Sequence, residues 1–114
     1  MTQHADLTVE HWSRFELGQQ ILQIAAEMHR ASESLRPDRI ESLRLSYERV
    51  LRLVDLTVEV HAELNLRVEL LRWRDVVAEL YLDPVPDPQV HRLALKTLLW
   101  LHPLSAEQVE HLPA

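Results

Sequence analysis

Between residues 39 and 82 the chain repeats apolar side chains at alternating steps of three and four, with neither proline nor glycine to interrupt them. One series runs Ile40, Leu43, Tyr47, Val50, Val54, Thr57, His61, Leu64, Val68 and Leu71, a spacing that keeps side chains on one face of a helix. From Leu66 a second series, Leu66, Leu70, Trp73, Val77 and Leu80, occupies a neighbouring face. A single helix here would be roughly 65 Å long at about 1.5 Å per residue, more than twice the width of a small domain.

Three solutions are open. The segment is one spine with shorter helices on both halves, or two helices meeting between residues 57 and 65, or a chain whose middle is not helical. The last is the α+β alternative, a β-hairpin near residues 53–70. It rests on Leu56, Val58, Val60, Ala62, Leu64, Leu66, Val68 and Leu70, which alternate strictly with polar residues, as a half-buried strand does. Against it, the only turn on offer is 61–65, which has no glycine and no Asn-Gly or Asp-Gly pair. Helix is the favoured reading.

The remaining elements follow from local signals. A helix over 8–35 starts at Thr8 as cap, with Glu10 in its first turn and Leu7 stapled to Trp12. Leu17, Ile21, Ile24, Met28, Ala31 and Leu35 form its stripe, and Gly18 within it suggests a close helix approach. Arg36-Pro37 stops this helix, and Asp38 with Glu41 reads as a capping box for the segment 38–82. So short a connection makes an antiparallel helical hairpin. Three alternating prolines make 83–88 an extended connector, Asp87-Pro88 opens a helix over 88–101, and Ser105 with Gln108 opens a last one over 105–112. The expected fold is an all-α antiparallel helical bundle built on a long helical hairpin, a single domain spanning residues 1–114.

Composition supports that class. There is one glycine, no cysteine, and 46% hydrophobic residues with few aromatics, a balance that favours helices. Without cysteine, disulfides, thiolate metal sites and cysteine nucleophiles are excluded. Residues 1–6 are polar, and no run reaches the roughly eighteen apolar residues that span a bilayer, so a cytoplasmic protein with no membrane partner is expected. A net charge of −6 argues against nucleic acid, although Arg72 and Arg74 flank Trp73 in a way that could stack bases.

Candidate chemistry is sparse. Seven histidines invite a metal site, yet His-x-x-x-His and Glu-x-x-His are both missing from the chain. Asp55, Glu59 and Glu63 form a ladder of like charges four residues apart, which repel along one helix face unless arginines offset them. Together with His61, which falls on the apolar seam and titrates near neutrality, they are the candidates for metal or catalytic work. A Mg²⁺-dependent site would need a second acidic pair, from Glu27 or Glu48. No catalytic residue, cofactor-binding residue or cofactor is assigned.

The sequence therefore favours a non-enzymatic helical interaction protein, a small accessory or regulatory subunit that self-associates as a homo-oligomer, a dimer above all, and that could also meet another protein. Leu66, Leu70, Trp73, Val77, Leu98 and Trp100 are the interface candidates. The alternative is a small helical metal-dependent hydrolase acting on a phosphate-containing substrate through the acidic ladder.

Overall fold

In the computed structural model, which describes residues 7–112, Thr8 opens the first helix, α1 (Val9–Trp12), by accepting a hydrogen bond from the His11 backbone N–H on its Oγ1 at 3.1 Å. The polar start at residues 1–6 lies outside the described residues. The expected single helix over 8–35 is broken. Trp12 is fully buried, and its indole Nε1–H donates to Thr57 Oγ1 at 2.9 Å. The Gln20 amide then takes the Trp12 and Phe15 carbonyls at 2.9 and 3.0 Å, so the Trp12 carbonyl bonds a side chain where an unbroken helix would use the amide of Glu16. The helix resumes as α2 (Leu17–Ser32), started by a capping box in which Glu16 and Gln19 exchange side-chain and backbone bonds.

The capping box expected from Asp38 and Glu41 does not form. The Arg36 guanidinium holds both oxygens of Asp38, at 3.0 and 2.7 Å. That contact lowers the Asp38 pKa from its ordinary value, chiefly through the hydrogen bond from Arg36. Pro37–Arg39 instead form a single 3₁₀ turn leading into α3 (Ile40–Val60).

The long segment is two helices, α3 and α4 (Leu64–Leu82), meeting at residues 61–63. No strand occurs among the described residues, so the hairpin alternative is excluded there. The break has no glycine or proline to cause it. His61 and Glu63 leave helical geometry, the Arg67 guanidinium caps the His61 carbonyl at 2.5 Å, and His61 Nε2 sits 2.7 Å from Gln20 Oε1. After the connector, α5 (Pro88–Leu99) begins as its sequence predicts, with Asp87 Oδ1 accepting from the Val90 N–H at 3.1 Å. The last helix starts earlier than expected: α6 (Pro103–Ala106) is capped by His102 Nδ1, which accepts from the Leu104 N–H at 3.0 Å, and a 3₁₀ turn follows at Glu107–His111. Ser105 is not the cap because its buried hydroxyl donates inward to the Leu99 carbonyl at 2.7 Å.

Four helices close a circuit. α2 and α3 share the most extensive contact, α3 also packs on α4, α4 on α5, and α5 returns to α2. The α2–α3 pair is antiparallel, since Gln20 near the start of α2 meets His61 just past the end of α3 while Glu27 faces Arg49 further back. Asp55 with Arg74 shows the same for α3 and α4, and the Trp73 Nε1–H reaches the Ala94 carbonyl across α4 and α5 at 2.7 Å. Ile21, Ile24 and Met28 of α2, Leu43, Tyr47, Val50 and Leu53 of α3, and Leu70 and Val77 of α4 fill the interior. Burying each such side chain contributes about 1.5–3 kcal/mol relative to leaving it in water. The bundle's longest dimension is 38 Å, so the folding back of α4 answers the length problem posed by residues 39–82. Gly18 provides the close approach its position suggests: a Cβ there would come within 2.9 Å of the His102 ring and of Leu104. Among the described residues, no helix is long and apolar enough to cross a membrane.

Candidate interaction surface

Residues four and three apart on a helix share a face, so breaking the chain at residues 61–63 separates two stripes that the sequence places on one rod. On α3 the series from Leu43 to Thr57 points into the core. On α4 the buried stripe is the second one, Leu70, Trp73, Val77 and Leu80, with Leu66 half-buried beside it. The first series continues into α4 on the opposite side, where Leu64 is 72% exposed, Val68 38% and Leu71 46%. Two turns beyond Leu71, Ala78 is half-buried, and a turn further on Leu82 is 73% exposed.

Helix α4 is thus apolar on two faces, and only one of them meets the bundle. Its outer stripe runs Leu64, Val68, Leu71, Asp75, Ala78 and Leu82, steps of four and three throughout, which is the seam spacing of a coiled coil. Asp75 is the single charge on it. Arg72 lies to one side of the seam, paired only loosely with Glu69 at 3.7 Å across exposed side chains. A surface pair of that kind is worth little.

Of the six interface candidates from sequence, Leu70, Trp73, Val77 and Leu98 are buried in this chain's own core. A second chain could not reach them while the bundle is intact. Leu66 packs against that core, and Trp100 stands 62% exposed at the end of α5. Leu64, Val68 and Leu71, which face outward, share by spacing the seam that is buried on α3, because nothing local marks the break at His61.

The acidic ladder does not gather into a site. Asp55 is held by the Arg74 guanidinium through two bonds, at 2.6 and 3.2 Å, a contact that pushes the Arg74 pKa further up. Glu59 is exposed on α3, and Glu63 lies beyond the end of that helix, at the cap of α4. Glu27, one of the two residues that could have completed an acidic pair, is buried between Arg30 and Arg49. Among the described residues, no three histidine, aspartate or glutamate side chains converge where a metal ion could be held.

His61 is half-buried at the break, against Gln20 of α2. Both Gln20 amide hydrogens go to carbonyls, so Gln20 Oε1 must accept and His61 Nε2 must donate. Burial pushes the His61 pKa down, with Glu63 opposing. A second histidine, which no motif or spacing in the chain singles out, is more deeply placed. His91 is 1% exposed, its Nε2–H donates to the Met28 carbonyl at 2.9 Å, and its Nδ1 accepts from the Tyr47 hydroxyl at 2.7 Å. Both ring nitrogens are satisfied by the neutral form, and burial lowers the His91 pKa accordingly.

No protein-family model, curated protein or solved structure matches this chain.

Proposed function

We propose that this chain is a non-enzymatic interaction subunit that self-associates through the outer face of α4. The observation that carries the reading is the exposed stripe Leu64, Val68, Leu71 and Leu82 at coiled-coil spacing on a helix already anchored by its opposite face. A second copy can supply the missing layer, because an apolar seam of this spacing is self-complementary about a two-fold axis.

The orientation follows from charge. In a parallel pair Asp75 would share a layer with its own copy, placing two carboxylates together out of water. In an antiparallel pair centred near Trp73, Leu64 meets Leu82 of the partner subunit, Val68 meets the partner subunit's Ala78, and Asp75 meets the partner subunit's Leu71. Arg72 then lies near each Asp75, so carboxylate and guanidinium alternate about the axis. The hydrolase reading has less support, since Asp55 and Glu27 are both engaged by arginines.

Sedimentation velocity tests the proposal. The wild-type chain is expected to run as a dimer and Leu71→Arg as a monomer with unchanged helix content, a loss of roughly a hundredfold or more in association, about 3 kcal/mol. A monomeric wild type, or a variant that still dimerises, would remove the reading.

A further inference from the structure

A cleft of about 430 Å³ opens between α2, α5 and the C-terminal 3₁₀ turn. Its wall is apolar, built by Leu35, Leu95 and Leu112. His29, Arg92 and Lys96 also line it, and among the described residues no carboxylate does. In a chain with eighteen acidic residues against twelve lysines and arginines, a cleft whose described charged lining, Arg92 and Lys96, is all cationic, with Ser32 a neutral polar neighbour, is unusual. Arg92 and Lys96 stand one turn apart on α5, both exposed, and among the described residues neither has an ion-pair partner. Lys96 is the chain's single lysine. Two cations on one turn repel each other unless an anion sits between them.

The geometry points to this cleft as a binding site for a small amphipathic carboxylate, its aliphatic tail against Leu35, Leu95 and Leu112 and its head between Arg92 and Lys96. The volume falls in the range of about 300–1,000 Å³ typical of small-molecule sites, which are mostly apolar with a few polar groups that fix orientation. An arginine fork and a lysine ammonium suit a carboxylate in complementary ways, one bidentate and one as a point charge. His91 borders the inner end, but its ring nitrogens are already bonded to Met28 and Tyr47. It contributes shape and not charge. The inference is independent of self-association, because α4 takes no part in the cleft.

Decanoate, below its micelle concentration, is the probe. Titrated into the full-length ¹⁵N-labelled chain, it is expected to give saturable amide shifts confined to α5, the end of α2 and residues 107–112. Decanol, with the same tail and no charge, and acetate, with the head and no tail, are each expected to bind at least roughly tenfold more weakly, and Arg92→Gln with Lys96→Gln to weaken decanoate by a similar factor. Both substituted side chains are exposed, so the variant keeps its fold, checked by its helix content. Decanol binding as well as decanoate, shifts centred on the α4 stripe, an unaffected double variant, or no saturable shift at all would each overturn the assignment.

Discussion

His61 Nε2 lies 2.7 Å from Gln20 Oε1, tying the break between α3 and α4 to the first turn of α2. The bond needs His61 to donate from Nε2, which neutral and protonated rings can both do, but burial disfavours the charged ring and holds its pKa below the ordinary 6.5, as it does for His91. For a histidine whose folded pKa is depressed, the unfolded chain takes up its proton first as pH falls. The stabilisation is therefore complete above about pH 6.5 and is lost as pH drops towards the folded values. The urea midpoint is expected to fall between pH 7.5 and 5.5. Gln at position 61 keeps a donor but cannot be protonated, so His61→Gln should flatten part of that slope. Parallel profiles for the two proteins would contradict the role given to His61.

The contact between Tyr47 and His91 makes a sharper stability prediction. Because His91 Nε2 is committed to the Met28 carbonyl, its Nδ1 must be the acceptor, and the Tyr47 hydroxyl its donor. Burial, with a smaller contribution from Asp87, pushes the phenol pKa up and keeps that proton in place. Tyr47→Phe preserves the ring and leaves Nδ1 buried without a partner, at an expected loss of about 1–3 kcal/mol. Chemical denaturation measures it directly, and a loss below about 0.5 kcal/mol would mean that water reaches the ring.

How far these features were legible depends on the range of the interaction that makes them. Thr8 and Asp87 cap their helices as the sequence suggests because a cap is set by residues three positions away. The α3 seam is legible as far as Thr57 for the same local reason. The breaks at Trp12 and at His61 are different: both are held by Gln20, which lies 8 residues from one and 41 from the other. A glutamine in an apolar stripe carries no mark of which carbonyls it will find. The sequence also continued the α3 spacing across the break without a gap, so Leu64, Val68 and Leu71 read as core when they face outward. His102 displaced Ser105 as a cap because the Ser105 hydroxyl found the Leu99 carbonyl six residues back, an outcome decided by how α6 turns onto α2.

Gly18 shows what that last turn demands. A methyl group there would overlap the His102 ring and Leu104, and His102 is itself the cap of α6. In an isolated helix Gly→Ala gains about 1 kcal/mol, but overpacking costs about 1–3 kcal/mol. Gly18→Ala is therefore expected to destabilise slightly and, more tellingly, to speed proteolysis within residues 102–112 before the bundle unfolds. Uniform cleavage kinetics in variant and wild type would show that the C-terminal turn does not depend on this contact.

The register proposed for α4 can be read with single cysteines, since the chain has none of its own. An antiparallel pair centred near Trp73 puts residue 71 of one copy beside residue 75 of the other, whereas residue 71 lies more than a helical turn from its own copy along the axis. A disulfide needs Cα atoms within about 7 Å. Leu71→Cys and Asp75→Cys proteins, mixed and mildly oxidised, are expected to form a mixed cross-linked dimer, with each protein alone cross-linking far less. A parallel pair reverses the pattern, because each cysteine then faces its own copy. Cross-linking of that reversed kind would keep α4 as the interface but place Asp75 against Asp75, and the charge argument for orientation would then fail while the apolar stripe remained.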